Sequence, residues 1–263
     1  MKKFGIICVI LICIFTIGAG RVYWQHKINK TAAEAKGSLS DSKQISSNRT
    51  YTHNSSKKSI KSLTSHLPKV LKEKINKFHD GDKPIQIVIT GDKSILKVGE
   101  RLQSLLDEAY GKEVFEVSAL NFHNENSHDI YHNDGAEKII KQRPDAVIYT
   151  PPVIEDDEQV TTSDTEDIMM FMKQDIEKAL PKTAYMTEPP NRVTSKPYIN
   201  DRLKEIKAYA NKNDLTYLNY LKRWPQSNHK LDNLLDASGL KPNHKGLDMW
   251  ADYLGDYFTG QKL

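Results

Sequence analysis

The stretch 85-IQIVITGDKSIL-96 reads as a buried strand that runs into a tight Gly-Asp turn and then into a helix. In open α/β sheets, ligand sites form beyond the carboxyl ends of such strands. The polar turn Gly91-Asp92-Lys93-Ser94 is therefore the first place to look for chemistry. The residues C-terminal to this turn decide the fold class. Ile95, Val98, Leu102, Leu105, Leu106 and Ala109 recur at helical spacing. Strand-like and helix-like segments then alternate: a strand at 113–119, a short helix at 137–142 and a strand at 145–150. A helix from about Thr165, a strand at 183–187, a helix at 198–212, a strand at 215–220 and a last helix at 246–257 complete the series. Repeated βα units predict a parallel sheet with helices on both faces, a three-layer α/β/α, flavodoxin-like arrangement. Met169, Met170 and Met172 read as packing on the inner face of their helix, with no cofactor role.

Outward from this domain the composition changes. Lys2 and Lys3 precede a 17-residue apolar run from Phe4 to Gly20, followed by Arg21, Tyr23 and Trp24. That length is at the short end of the roughly 17–25 residues that span a bilayer. Positive charge before the run and aromatic residues after it suit a single-pass, N-in anchor at the cell membrane, with the domain outside. A cleaved signal peptide, with small residues at Gly18-Ala19-Gly20, is the competing reading of residues 1–24 and would make the protein secreted. Both cysteines, Cys8 and Cys13, lie in that run. The rest of the chain thus has no disulfide framework, no zinc cluster and no cysteine nucleophile.

Residues 25–65 are rich in Ser, Thr, Asn and Lys and predict a disordered stalk. Residues 66–83 hold an amphipathic lead-in helix, with Pro68 near its start and a stripe of Leu67, Val70, Leu71, Ile75 and Phe78. Across 25–83 there are 13 Lys+Arg against 5 Asp+Glu, whereas residues 84–263 carry 22 against 29. The overall charge of +4 hides a basic stalk and an acidic domain. An export signal argues against nucleic acid as the partner of the basic tract; anionic lipid, anionic wall polymer or plain solvent remain.

Several short matches, in order, resemble the SGNH/GDSL hydrolase family, in an extracellular Gram-positive branch. The first strand with Gly91-Asp92 is similar to the family's opening block. Pro144-Asp145-Ala146-Val147-Ile148 is similar to the strand before its third block, and Ser238-Gly239-Leu240-Lys241-Pro242-Asn243-His244-Lys245-Gly246 to its last, followed by Trp250. Glu188-Pro189-Pro190-Asn191 and Trp224-Pro225 resemble features of the branch. The resemblance spans residues 84–260. It implies a serine nucleophile after Gly-Asp, an Asp and a His base in the last block, and an oxyanion hole from a Gly in block two and an Asn in block three. Here these positions hold Lys93, Ser238 and Lys241; residues 120–131 contain no Gly, and the Asn position is Glu155. A protonated Lys is neither base nor acceptor, and a carboxylate at the oxyanion position opposes the charge that develops there.

The altered site can be arranged in two ways. A shifted triad can be written as Ser94, His244 and Asp236, although one residue of shift at a helix start turns a side chain by about 100°. In the other, Lys93, Lys241 and Glu155 share the cleft as an ion-paired or anion-binding pocket beside Asp92 and Ser238. Ser94 also has a plain role at the start of its helix, and Asp92 one in bonding the amides of its turn. His123, His128 and His132, with Glu125 and Asp129, read as exposed loop residues; no metal and no cofactor are expected. The functional expectations are three: a catalytically degenerate domain that binds or assists at cell-wall or surface polysaccharide, an active esterase or O-deacetylase acting on that polysaccharide, and a structural surface module.

Overall fold

In the computed structural model, which describes residues 63–79 and 81–261, β1 is Ile85–Gly91 and is buried along nearly its whole length. Around it stand β2 (Phe115–Asn121), β3 (Ala146–Tyr149), β4 (Ala184–Thr187) and β5 (Thr216–Tyr217). All pairings are parallel and the order is β2-β1-β3-β4-β5. This is the flavodoxin-like order, in which β1 and β3 flank the point where the winding direction reverses.

The described α-helices are α1 (Lys69–Asn76), α2 (Ile95–Tyr110), α3 (Ser127–His132), α4 (Gly135–Ile140), α5 (Thr162–Ala179), α6 (Ile199–Lys212), α7 (Asn228–Leu231) and α8 (His244–Phe258). Strand residues alternate between the faces. Ile85, Ile87 and Ile89 pack with α1, α2 and α8; Val88, Val147 and Tyr149 pack with α3, α4, α5 and α6. The three-layer α/β/α prediction is therefore met. Met169 and Met172 are core residues of α5.

The differences from expectation are local. The lead-in helix is Lys69–Asn76, shorter than the predicted 66–78, because Pro68 stands at its N-cap. Leu71 and Ile75 are buried, but Val70 is 43% exposed and not part of the stripe. β2 begins two residues late, after Glu113 turns the chain at φ 74°. The 120–131 stretch is not all loop: Asn126 and Asp129 form a reciprocal capping box that starts α3. The anchor at 1–24 and residues 25–62 of the stalk lie outside the described residues. Among the described residues no helix is long and apolar enough to cross a membrane.

Candidate functional site

The carboxyl ends of β1, β3 and β4 converge because the strands are in register: Thr90 pairs with Tyr149, and Tyr149 with Thr187. The next residues along, Gly91, Thr150 and Glu188, sit side by side at the edge. A side chain at Gly91 would meet Thr150 and Ile95 at ordinary contact distance, so Gly91 lies against the first residue after β3 and the first turn of α2.

After Gly91 the chain turns into α2 through Asp92. Its Oδ1 accepts the Ser94 amide at 2.9 Å, and its Oδ2 accepts the Ser94 hydroxyl at 3.3 Å. Ser94 occupies the N-cap position of α2. Asp92 also faces Lys241, with Nζ 3.8 Å from Oδ2. Opposite, in the loop after β3, burial pushes the Glu155 carboxyl up to about 7; the charge of Asp92 pushes the same way, and Lys241 pulls against them. Asp92, Glu155 and Lys241 thus form one mixed-charge cluster. Lys93 is not in it: its side chain is exposed and makes no ion pair with another described residue. Of the pocket expected from Lys93, Lys241 and Glu155 beside Asp92 and Ser238, Asp92, Glu155 and Lys241 lie together and Lys93 turns away.

The shifted triad is spread over three places. The Ser94 hydroxyl bonds Asp92. The His244 ring, 90% exposed at the first turn of α8, pairs with Asp248 at 2.8 Å, one turn along the same helix. Asp236 accepts the amide and the hydroxyl of Ser238, at 3.1 and 2.5 Å, which closes the turn before α8. The Ser238 hydroxyl, its strongest hydrogen-bond donor, holds the Asp236 carboxyl below the usual range. No hydrogen bond or ion pair among the described residues joins any two of Ser94, His244 and Asp236.

Beneath the cluster lies a layer whose residues Glu188 and Trp250 the sequence resemblance marked, without any sign that they meet. Glu188 is fully buried, accepting the Thr150 hydroxyl at 3.1 Å and the Trp250 indole N–H at 3.0 Å. Burial pushes its carboxyl up to about 8. Trp250 stacks on Tyr220 with ring centres 4.7 Å apart. Next to Glu155, Asp156 is buried and accepts the amide and hydroxyl of Ser127, at 2.6 and 2.8 Å, and the Thr165 hydroxyl at 2.6 Å. It ties the loop after β3 to the starts of α3 and α5. Its acidity and its place in the loop were visible in the sequence; its partners, 29 residues back and 9 ahead, were not.

His128 and His132 are exposed on α3, with ring centres 6.2 Å apart, and are helical where loop residues were expected. Among the described residues no group of three or more His, Cys, Asp or Glu side chains is arranged to hold a metal ion.

No family model and no curated protein sequence matches the chain. Solved structures do match in fold. A GDSL-like lipase from Bacteroides thetaiotaomicron superposes with a TM-score of 0.52 at 15% identity, over 72% of this chain and 94% of its own. An acetyl xylan esterase gives 0.54 at 15% identity, over 65% and 98%. An alpha/beta hydrolase from the metagenome of Lake Arreo, Spain, gives 0.54 at 11%, over 71% and 99%. The chain has an SGNH/GDSL hydrolase-like fold; at these identities the likeness speaks for the fold alone.

Proposed function

We propose that the chain is a membrane-held, outward-facing SGNH-type domain that binds cell-envelope polysaccharide at the carboxyl edge of its sheet without serine ester hydrolysis. One observation carries the reading: Ser94 and His244 are each committed to a different carboxylate, Asp92 and Asp248. A serine hydroxyl is a weak nucleophile without a well-placed base, and no histidine among the described residues bonds Ser94. A cluster of Asp92, Glu155 and Lys241 suits a hydroxyl-rich ligand instead. Carboxylates accept from sugar hydroxyls and the ammonium donates to them. Glu155, which burial pushes up to about 7, is suited to either role near neutral pH. In this reading the apolar run at 4–20 holds the protein to the membrane and the basic 25–65 stretch spaces the domain from it.

A second reading, an esterase or O-deacetylase on surface glycan, draws on one contact: the Ser94 hydroxyl lies 3.3 Å from a carboxylate that could take its proton. A lipase and an acetyl xylan esterase are among the proteins of similar fold, and those activities are theirs. The two readings separate in one experiment. The purified chain and its Ser94→Ala variant are assayed on an activated acyl ester and labelled with a serine-directed fluorophosphonate. The expected result is no turnover or labelling above the variant, with wall-polysaccharide binding weakened about tenfold or more by Lys241→Ala. Ser94-dependent turnover would overturn the proposal in favour of the esterase.

A further inference from the structure

The acidic domain carries an oppositely charged segment. Residues 191–230 hold 9 Lys+Arg against 3 Asp+Glu, while the remainder of 84–263 holds 13 against 26. The segment covers α6, β5 and α7, the free-edge side of the sheet. Four of its basic side chains, Arg192, Lys204, Lys207 and Lys222, line one cleft of about 560 Å³ between α6 and the chain that leaves β5.

The bonding of those cations separates this cleft from an ordinary solvated surface. Elsewhere in the segment three of the five cations are spent within the fold, Lys196 on Asp157, Arg202 facing Asp156 and Arg223 on Asp256, while Lys212 and Lys230 stand apart on the surface. Inside the cleft the one acidic lining residue, Asp201, is engaged by Lys204 at 2.6 Å. Arg192 is held by carbonyls alone, those of Pro225, at 2.6 Å, and of Gln226. Its guanidinium is fixed in place with its charge uncompensated. Lys207 and Lys222 have no acidic partner among the described residues. Three unpaired cations thus face a hollow on a domain that is otherwise a source of negative potential. Asn219 and Tyr217 add amide and ring surface, and Asn228 also lines a second hollow that carries the hydroxyls of Thr194, Ser195 and Ser238 with the carboxylates of Asp232 and Asp236, acceptors for a ligand's hydroxyls. The two hollows share Asn228, with the cations on one side of it and the turn before α8 on the other.

We propose that this cleft binds a linear polyanion, a hydroxyl-bearing chain with repeating phosphate or carboxylate groups, its charges on Arg192, Lys207 and Lys222 and its hydroxyls along the Asn228 side. Fixed cations release counterions when such a chain binds, so affinity falls steeply with salt. A negatively charged remainder repels the same polymer elsewhere and confines it to the cleft. The cations that would hold the chain, Arg192, Lys207 and Lys222, are different residues from Asp92, Glu155 and Lys241 of the carboxyl-edge site.

The test is a protection experiment on the full chain. Amine acylation at each lysine is read by mass spectrometry with and without long-chain polyphosphate, polygalacturonate, neutral dextran or single-stranded RNA. Lys207 and Lys222 are expected to be acylated several-fold more slowly with either polyanion, while Lys178 and Lys182 at the opposite end of the sheet keep their rates. The polymer that protects at the lower concentration identifies phosphate or carboxylate as the favoured group. Affinity measured in parallel should drop about tenfold in Lys207→Ala/Lys222→Ala and hold in Lys178→Ala/Lys182→Ala, which removes the same charge. Protection confined to the lysines before residue 63, equal protection of all lysines, protection by dextran, or protection by RNA but neither polymer would each overturn the proposal. Loss of polyanion binding in Lys207→Ala/Lys222→Ala with polysaccharide binding at Lys241 intact would separate this cleft from the carboxyl-edge site.

Discussion

Glu188 and Asp156 are both carboxyls that burial pushes up, and they differ in what their partners do against it. Asp156 accepts three hydrogen bonds and faces Arg202 at 3.9 Å, so its removal strands several donors at once. Asp156→Ala should cost about 3 kcal/mol of stability, read from urea unfolding. Glu188 has only two donors and no cation among the described residues to offset burial, and its carboxyl rises from 4.5 to about 8. The folded state then holds a proton that the unfolded chain has released. Stability from this group is full below the unfolded value and declines as pH rises toward 8. Glu155 acts with the same sign, with its decline ending near 7. In Glu188→Gln the urea midpoint should fall less between about pH 5 and about pH 8 than in the parent, with the remaining decline over before pH 8. An unchanged profile would mean that Glu188 does not take up the proton. Neither role could be read from the sequence, because burial and the distant partners, Trp250 above all, are set by the finished fold.

At the scale of elements, periodicity was a good guide wherever a helix is long and faces the core. α2, α5 and α6 fall within three residues of the boundaries read from their apolar spacing. It failed on short elements. α3 has six residues, too few for a stripe to show, and exists because Asn126 and Asp129 cap it and Asp156 anchors its first residue. α8 starts at His244, two residues before the predicted Gly246, because Asn243 is its N-cap. The Asn243 Oδ1 accepts the Lys245 and Gly246 amides, and its amide group donates to the carbonyls of Asn233 and Leu235. Asn243 therefore starts the helix and holds the preceding turn that carries Ser238 and Lys241. Asn243→Ala should cost about 1–2 kcal/mol. It should also lower polysaccharide binding, which Ala at the exposed neighbour Lys245 should leave unchanged. Loss of stability with binding intact would mean that the turn does not position the site.

For the whole molecule, the layer order and the edge that carries the site were legible, because an apolar strand, a polar turn and a helix repeat along the chain and parallel sheets have few ways to be wound. The contents of that edge were legible only in part. Asp92, Glu155 and Lys241 lie together, but Lys93 points to solvent, since which side a turn residue faces depends on backbone angles that composition does not reveal. The same sheet has a consequence for unfolding. Its strands give alternate residues to two helical layers, so neither apolar layer is complete without it. The two layers should therefore unfold together. Trp224 and Trp250 report one layer; Met169, fully buried, belongs to the other. Met169→Ala opens a cavity worth about 3 kcal/mol on the far side of the sheet from both indoles. Tryptophan fluorescence and far-ultraviolet circular dichroism should move to the same lower urea midpoint in that variant. A dichroism transition that shifts while the fluorescence transition stays in place would show that the layers come apart separately, and that the sheet does not couple them.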